Sequence, residues 1–256
     1  MYVCTHTNTS TRPPFFLHFI MTTRIDVAET DSLLRQTNAR GQSMAFPLKA
    51  ILGEILGTAL LCNAVAMNVS AIELGFTLAA LVFALGHVSG AHLNPAVTLG
   101  VFVRGKISLM NSLYYVVSQF AGAFLGGLLA MPLLDDLDGS KVNMPSVADG
   151  VETLTAISVE ALYTMVLVLV ILMVATSKAQ QGNGFFGMAI GLALTSAASQ
   201  AGKISGGALN PALGVALPAI NGGADAMVYL IYTVGPLLGS LLAVGAFYLT
   251  AKSSEF

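Results

Sequence analysis

The chain has 256 residues, of which 55% are hydrophobic and only 9% are charged. A soluble domain usually carries about 25% charged residues, so this composition predicts a membrane protein. The formal net charge of −2 argues against a nucleic-acid partner, and two cysteines are too few for a disulfide framework.

The chain divides into a polar N-terminal part and a long apolar part. Residues 1–46 are rich in Thr, Asn and Arg, and we expect a disordered tail there. Residues 47–251 hold the apolar segments, and 252–256 form a short C-terminal tail. Because a membrane span needs about 20 residues, the pattern predicts six spans and two pieces of roughly half a bilayer. The predicted spans are 48–68, 74–91, 109–131, 153–176, 185–201 and 226–250, and the short pieces are 92–103 and 208–220.

Basic residues fall almost entirely on one side of these spans. Of the 11 basic residues, only Lys141 and Lys203 fall on the other side. Lysine and arginine are enriched in the cytoplasmic loops of membrane proteins. We therefore predict an integral, multi-pass protein of the plasma membrane or an internal membrane, with both termini in the cytoplasm.

One short motif occurs twice in the apolar part. Residues 89–96 read S-G-A-H-L-N-P-A and residues 205–212 read S-G-G-A-L-N-P-A, so six of eight positions match. Other matching positions are Glu54 and Thr58 with Glu160 and Thr164, and Gly122, Ala123 and Gly126 with Gly239, Ser240 and Ala243. Each half, 47–134 and 153–251, holds three spans. Since an odd number of spans reverses the direction of entry, the sequence predicts an inverted repeat.

The repeated Asn-Pro-Ala predicts a helix start at the membrane midplane. Asparagine is a good helix N-cap, and proline suits the first helical position. Two such N-termini would face each other, each with partial positive charge. The Asn94 and Asn210 amides could donate hydrogen bonds to a passing molecule, and the backbone carbonyls before them, if that segment is extended, could accept. The arrangement predicts a narrow path for neutral hydrogen-bonding molecules that excludes cations.

These motifs resemble the major intrinsic protein family, the aquaporins and aquaglyceroporins. The resemblance rests on H-V-S-G-A-H-L-N-P-A-V-T at 87–98, the second motif at 205–212 and E-I-L-G-T at 54–58, and it covers 47–251. It implies an all-α membrane protein with a right-handed bundle of six helices and two half-helices. It also implies one pore per subunit and a homotetramer that passes water and small neutral solutes, without a cofactor, a metal or enzymatic activity.

The resemblance further implies roles for particular residues. The pore midplane would be formed by Asn94, Pro95, Ala96, Asn210, Pro211 and Ala212. The pore loops would be braced by Glu54, Glu160 and His87. The outer constriction would consist of Leu74, Ala198, Gly207 and Leu213.

This outer constriction departs from the pattern of the family. Water-selective members usually have an aromatic residue, a histidine and an arginine there, and this chain has none of them. Leu213 stands where the arginine is expected. We predict a wider, more apolar neck that admits solutes such as glycerol, urea or ammonia, although a neck of this kind could instead dewet and conduct poorly.

The sequence also allows two other functions for the protein and another role for two histidines. Coupled secondary transporters also use inverted repeats and broken helices, but they need intramembrane groups that bind ions. The twin positions of Glu54 and Glu160 favour braces over such ion sites. A junctional or scaffold protein with a closed pore is the second alternative.

His87 and His92 could form a pH gate or bind metal, but we favour a packing role for them.

Overall fold

The computed structural model describes residues 47–137, 141–252 and 255, and every regular element in this part of the chain is helical. Eight α-helices follow one another. They are α1 (Leu48–Ala66), α2 (Ala71–Ser89), α3 (Pro95–Val103), α4 (Leu109–Leu137), α5 (Thr153–Ile171), α6 (Phe186–Ala201), α7 (Pro211–Ile220) and α8 (Ala226–Thr250). The predicted disordered tail at 1–46 lies outside the described residues.

The eight helices match the predicted six spans and two short pieces. Helices α3 and α7 are the short pieces, with 9 and 10 residues. Helices α1, α2, α4, α5 and α8 are long and apolar enough to cross a membrane. Helix α6 has 16 residues. It is thus only about 24 Å long, which is shorter than a full hydrocarbon core of about 30 Å.

Several predicted boundaries were wrong. Helix α2 starts at Ala71 rather than at 74, because Ser70 and Glu73 cap each other's backbone N–H groups. Helix α4 runs on to Leu137. The fourth predicted span, 153–176, has the bounds that the structure shows, Thr153–Thr176, although its last turns form a π-helical segment, Leu172–Thr176, after α5. Both half-helices begin three residues late, since the residues before each proline are not helical.

Small residues bring corresponding helix pairs of the two halves together. A Cβ atom added to Gly126 of α4 would overlap the carbonyl oxygen of Ala59 in α1. One added to Gly239 of α8 would likewise overlap the carbonyl oxygen of Ala161 in α5. The predicted small-residue positions thus allow close helix contacts in lipid, and α1 packs on α4 as α5 packs on α8.

The two halves meet where α2 crosses α6. A Cβ atom at Gly75 would stand 2.5 Å from the carbonyl oxygen of Gly191, and one at Gly191 would overlap the carbonyl oxygen of Gly75. The contact is therefore the same from either side, as expected at the axis of an inverted repeat. This glycine pair was not predicted from the sequence.

The bundle has an apolar core that also buries several polar side chains, and its outer surface is largely apolar. Its completely buried side chains include Glu54, Glu160 and Gln119, whereas leucine, phenylalanine and methionine side chains cover much of the outer surface. Charged groups are rarely buried unless they are paired or hydrogen-bonded. Glu54 in the first half and Glu160 in the second must therefore each have hydrogen-bond donors close by.

Candidate functional site

Each half-helix starts at an asparagine followed by a proline. Asn94 is the N-cap of α3, and its side-chain oxygen accepts a 2.8 Å hydrogen bond from the Ala96 N–H. Asn210 caps α7 in the same way, with a 3.0 Å bond from the Ala212 N–H. The prolines occupy the first helical positions, where the missing N–H costs nothing. These are the caps that the sequence predicted.

Several residues before each asparagine have left-handed backbone angles, so these segments are not simply extended. Positive φ angles occur at Gly90 (89°), Ala91 (48°) and Leu93 (52°) in the first loop. They recur at the equivalent Gly206 (88°), Gly207 (62°) and Leu209 (50°) of the second loop. A non-glycine residue in this region costs about 1–3 kcal/mol, so the surrounding structure must hold the loops in place.

A buried carboxylate holds each loop. Glu54 accepts four hydrogen bonds, from Ser89 Oγ (2.7 Å), the His92 N–H (3.0 Å), the Leu93 N–H (2.7 Å) and Gln119 Nε2 (2.8 Å). Glu160 accepts three, from Ser205 Oγ (2.6 Å), the Ala208 N–H (3.1 Å) and the Leu209 N–H (2.7 Å). Because these loop N–H groups are bonded to the carboxylates, the carbonyls of the loops are not needed to hold the loops against Glu54 and Glu160.

A tyrosine secures the start of each loop, and neither tyrosine was predicted from the sequence. The Tyr115 hydroxyl donates to the Ser89 carbonyl at 2.6 Å, and the Tyr232 hydroxyl donates to the Ser205 carbonyl at 2.6 Å. Each tyrosine precedes a matched glycine, Gly122 or Gly239, by seven residues. Extending the repeat alignment by two helical turns would have identified the pair.

The two loops are joined at the centre of the bundle by a reciprocal pair of bonds. Asn94 Nδ2 donates to the Leu209 carbonyl at 2.8 Å, and Asn210 Nδ2 donates to the Leu93 carbonyl at 2.9 Å. A carboxamide has two N–H donors. Each asparagine therefore keeps one donor beyond the bond that joins the loops.

A cavity of about 820 Å³ passes this centre, and both asparagines line it. Residues 143–146 line the end where α1 finishes, and Lys106 and residues 180–183 line the end where α5 finishes. One wall carries aliphatic side chains such as Val82, Ile171 and Ile190. The other wall consists of the two loops.

The loops contribute a row of hydrogen-bond acceptors to the cavity. The terminal carbonyls of each loop are bonded, by tyrosine at Ser89 and Ser205 and by asparagine at Leu93 and Leu209. The carbonyls between them accept no hydrogen bond from the described part of the chain. They belong to Gly90, Ala91 and His92, and to Gly206, Gly207 and Ala208, which all line the cavity.

All four residues of the predicted outer constriction line the cavity. They are Leu74, Ala198, Gly207 and Leu213. Among the described residues that line it, no carboxylate is present and Lys106 is the only permanently charged side chain. The cavity therefore offers polar contacts through neutral groups.

The two histidines differ from what was expected. His87 is exposed, lies within α2 and lines the cavity, rather than packing beneath a loop. His92 is the histidine within the loop framework. Its Nδ1 lies 3.1 Å from Thr98 Oγ1, and its ring packs edge-on against Tyr115 with centroids 5.1 Å apart.

Comparisons with known proteins agree on one family. The sequence model of the major intrinsic protein family matches residues 15–248. Aquaporin-1 of Pongo abelii is 33% identical over 184 residues, which cover 71% of this chain and 68% of that protein. Aquaporin A of Dictyostelium discoideum is 36% identical over 171 residues, covering 66% and 61%. The X-ray structure of the aquaglyceroporin from Plasmodium falciparum superposes with a TM-score of 0.70 at 24% identity, covering 80% of this chain and 97% of that one.

Proposed function

The chain belongs to the major intrinsic protein family, and from that premise we propose that it is a passive channel for water and small neutral solutes. The observation that carries the proposal is one cavity that is lined by residues at both ends of the bundle, by both asparagines and by the six loop residues whose carbonyls accept no hydrogen bond from the described part of the chain. No chemical step is required of it. The protein acts by replacing the hydrogen bonds that a solute loses on leaving water.

The two walls of the cavity have different functions. A solute moves along the carbonyl row by donating hydrogen bonds, while the aliphatic wall offers no competing polar contact. At the centre, the second N–H of Asn94 and of Asn210 donates to it. The N-termini of α3 and α7 each contribute roughly half a positive charge there, which repels cations.

We assign Glu54 and Glu160 to bracing the pore loops. Each carboxylate is completely buried and accepts hydrogen bonds through both oxygens. A coupling-ion site would need carboxylate oxygens open to the path. We also assign the bracing role expected of His87 to His92, because His92 contacts Thr98 and Tyr115.

We assign Leu74, Ala198, Gly207 and Leu213 to the outer neck. Their side chains are apolar or absent, so the neck is wider than one closed by an aromatic residue and an arginine. The channel should therefore admit solutes larger than water, with glycerol as the test case. Exclusion of protons and cations then depends chiefly on the helix N-termini at the centre.

The assembly and orientation in this proposal rest on family membership and on charge. We propose a homotetramer in which each subunit has its own pore, as membership of the family implies. We also propose that both termini are cytoplasmic, because basic residues concentrate on that side.

Stopped-flow light scattering of proteoliposomes tests the proposed function. Vesicles with the full chain should shrink faster than empty vesicles in an impermeant osmolyte and should re-swell when glycerol is the osmolyte. The rates should not change when a proton or sodium gradient is imposed, because a passive channel couples to neither. Water and glycerol rates equal to those of empty vesicles would overturn the proposal, and flux driven by a gradient would indicate a transporter.

A further inference from the structure

We propose that Lys106 makes the α5 end of the cavity electropositive and so repels cations before they reach the centre of the pore. This inference rests on the proposed channel function and adds a residue that determines its charge selectivity. It follows from the position of one ammonium group at the mouth. Among the described residues that line the cavity, Lys106 has the only permanently charged side chain.

The backbone that carries Lys106 is fixed by the end of half-helix α3. The Lys106 N–H donates to the Val101 carbonyl at 3.0 Å, and the Gly105 N–H donates to the Phe102 carbonyl at 2.8 Å. Gly105 has a left-handed φ of 75°. These two bonds and the left-handed glycine form a Schellman motif, which is a common helix ending. The side chain of Lys106 therefore starts from a fixed point at the edge of the cavity.

A positive charge at this mouth opposes the effect of the helix that ends there. Half-helix α3 starts at the centre of the pore and ends at Val103, three residues before Lys106. The C-terminus of a helix carries roughly half a negative charge, which attracts cations. The full positive charge of the Lys106 ammonium outweighs that partial charge, so a cation that approaches this end is repelled.

The other charged groups near this mouth do not cancel the charge of Lys106. The Glu255 carboxylate accepts from Ser177 Oγ at 2.5 Å and lies in the field of the Arg104 charge. Arg104 also donates to the Glu255 carbonyl at 2.7 Å, so these two opposite charges largely offset each other. Lys178 adds a further positive charge on this side, although it does not line the cavity.

The opposite end of the cavity has no equivalent charge. Counted from the two asparagines, the position that corresponds to Lys106 is Gly222. Residues 143–146, which line that end, are uncharged, and so is Leu213 at the neck. A cation from the α5 end therefore meets Lys106 and then the helix N-termini at the centre, whereas a cation from the other end meets only the helix N-termini.

The reactivity of a cysteine at the mouth measures this potential without requiring solute flux. Gln181→Cys places a thiol at the α5 end of the cavity in a Cys4→Ser background, and the native Cys62 is buried. The rates of modification by an anionic and a cationic methanethiosulfonate are compared in this protein with and without Lys106→Gln or Lys106→Arg. Lys252→Gln is the matched control, because Lys252 follows the end of α8 and does not line the cavity.

The expected change is in the ratio of the anionic to the cationic rate. At about 10 mM salt, where the Debye length is about 30 Å, Lys106→Gln should lower this ratio about tenfold, and the difference should shrink at about 1 M salt. Lys106→Arg and Lys252→Gln should leave the ratio within about twofold of its starting value. A ratio that Lys106→Gln leaves unchanged, or that Lys252→Gln lowers equally, overturns the inference.

Proton leak into proteoliposomes measures the consequence for cations. The leak is followed in Asn210→Asp, where the added carboxylate weakens the central barrier, with and without Lys106→Gln. Adding Lys106→Gln should raise the leak by about threefold at low salt, and an unchanged leak overturns the inference. If the reagent ratio changes as expected while water and glycerol pass at empty-vesicle rates, the proposed function has failed and the charge of the mouth has not.

Discussion

The side-chain amide of Asn94 donates to the backbone carbonyl of Leu209, 2.8 Å away in the opposite half of the protein. Asn210 makes the equivalent bond to Leu93 at 2.9 Å. Each asparagine thus caps its own half-helix, binds the other loop and keeps one donor for the cavity. The centre of the pore is therefore held by the same residues that are proposed to contact the solute.

Asn210→Asp should open the channel to cations. The carboxylate can still cap α7, but it cannot donate to Leu93, and its negative charge offsets the roughly +0.5 at each of the two helix N-termini. We expect the proton leak of proteoliposomes under a potassium–valinomycin potential to rise on the order of tenfold. Asn210→Ser, which can cap without charge, is the matched control. An unchanged leak in the aspartate variant contradicts the central role of the helix N-termini.

Leu213→Arg should make the neck narrower and positively charged. We expect glycerol flux to fall about tenfold or more, water flux to persist, and any proton leak to decrease. Leu213→Met controls for the loss of leucine packing, because Leu213 is 4% exposed and lies in a buried apolar cluster. Glycerol flux that is the same in both variants would show that residue 213 does not form the neck.

Glu160→Gln should destabilise the fold even though its shape is nearly unchanged. Glutamine presents an amide where three donors now point at a carboxylate, so we expect a loss of about 3 kcal/mol in the free energy of unfolding. Tyr232→Phe removes one hydroxyl bond to the same loop and should cost about 1 kcal/mol. Denaturation in detergent compares the two. A glutamine variant as stable as wild type rules out bracing by the charged carboxylate.

Gly191→Ala should weaken the crossing of α2 and α6. The added methyl group would overlap the Gly75 carbonyl oxygen, and we expect a destabilisation of about 1–3 kcal/mol. Gly245→Ala is a helix glycine with nothing near its added Cβ, and it should be neutral or stabilise by up to about 1 kcal/mol. If both substitutions have the same effect on the unfolding midpoint, the crossing is not as tight as described.

Glu255 should fix the loop at the α5 end of the cavity in a pH-dependent way. Its carboxylate accepts from Ser177 Oγ at 2.5 Å, and its backbone carbonyl accepts from the Arg104 guanidinium at 2.7 Å. The Ser177 hydroxyl, followed by the backbone N–H groups of Ala179 and Lys178 and the charge of Arg104, holds the pKa of Glu255 below its ordinary value of 4.5. A lowered pKa means that the contact stabilises the folded state above the ordinary value and is lost as pH falls through the lowered one.

Hydrogen exchange of the 177–183 loop measures this contact. In the wild type, protection should stay constant from about pH 7 to about pH 5 and then decrease in more acid solution, after correction for the intrinsic exchange rate. Glu255→Gln should have lower protection at pH 7 and a flatter pH dependence. A wild-type loop that loses protection between pH 7 and pH 5 would point to a histidine, and not to Glu255, as the titrating group.

The sequence predicted the parts of this structure that repeat. Asn94 and Asn210 were recognisable as helix caps because asparagine followed by proline satisfies both the cap and the first helical position. Glu54 and Glu160 were identified by matching the two halves. The spans followed from apolar length, which misplaces a boundary where polar residues extend a helix, as Ser70 and Glu73 do at the start of α2.

Features without a local pattern could not be predicted in this way. The left-handed angles at Ala91 and Leu93 go with hydrogen bonds from the Ala91 N–H to Ser89 Oγ and from the Leu93 N–H to Glu54, since neither residue favours that region on its own. The choice of His92 over His87 depends on where α2 ends. The contact between Glu255 and Ser177 joins residues 78 positions apart, and nothing in either segment indicates it.

The most direct test of the channel is the water and glycerol permeability of proteoliposomes with the wild-type chain and with Ala198→Trp, which fills the neck. Wild-type vesicles should exceed empty vesicles in both fluxes, independently of any ion gradient, and the tryptophan variant should return both fluxes close to the empty-vesicle rates while remaining folded. Wild-type fluxes no higher than those of empty vesicles, or fluxes that the tryptophan leaves unchanged, would contradict a passive channel through this cavity.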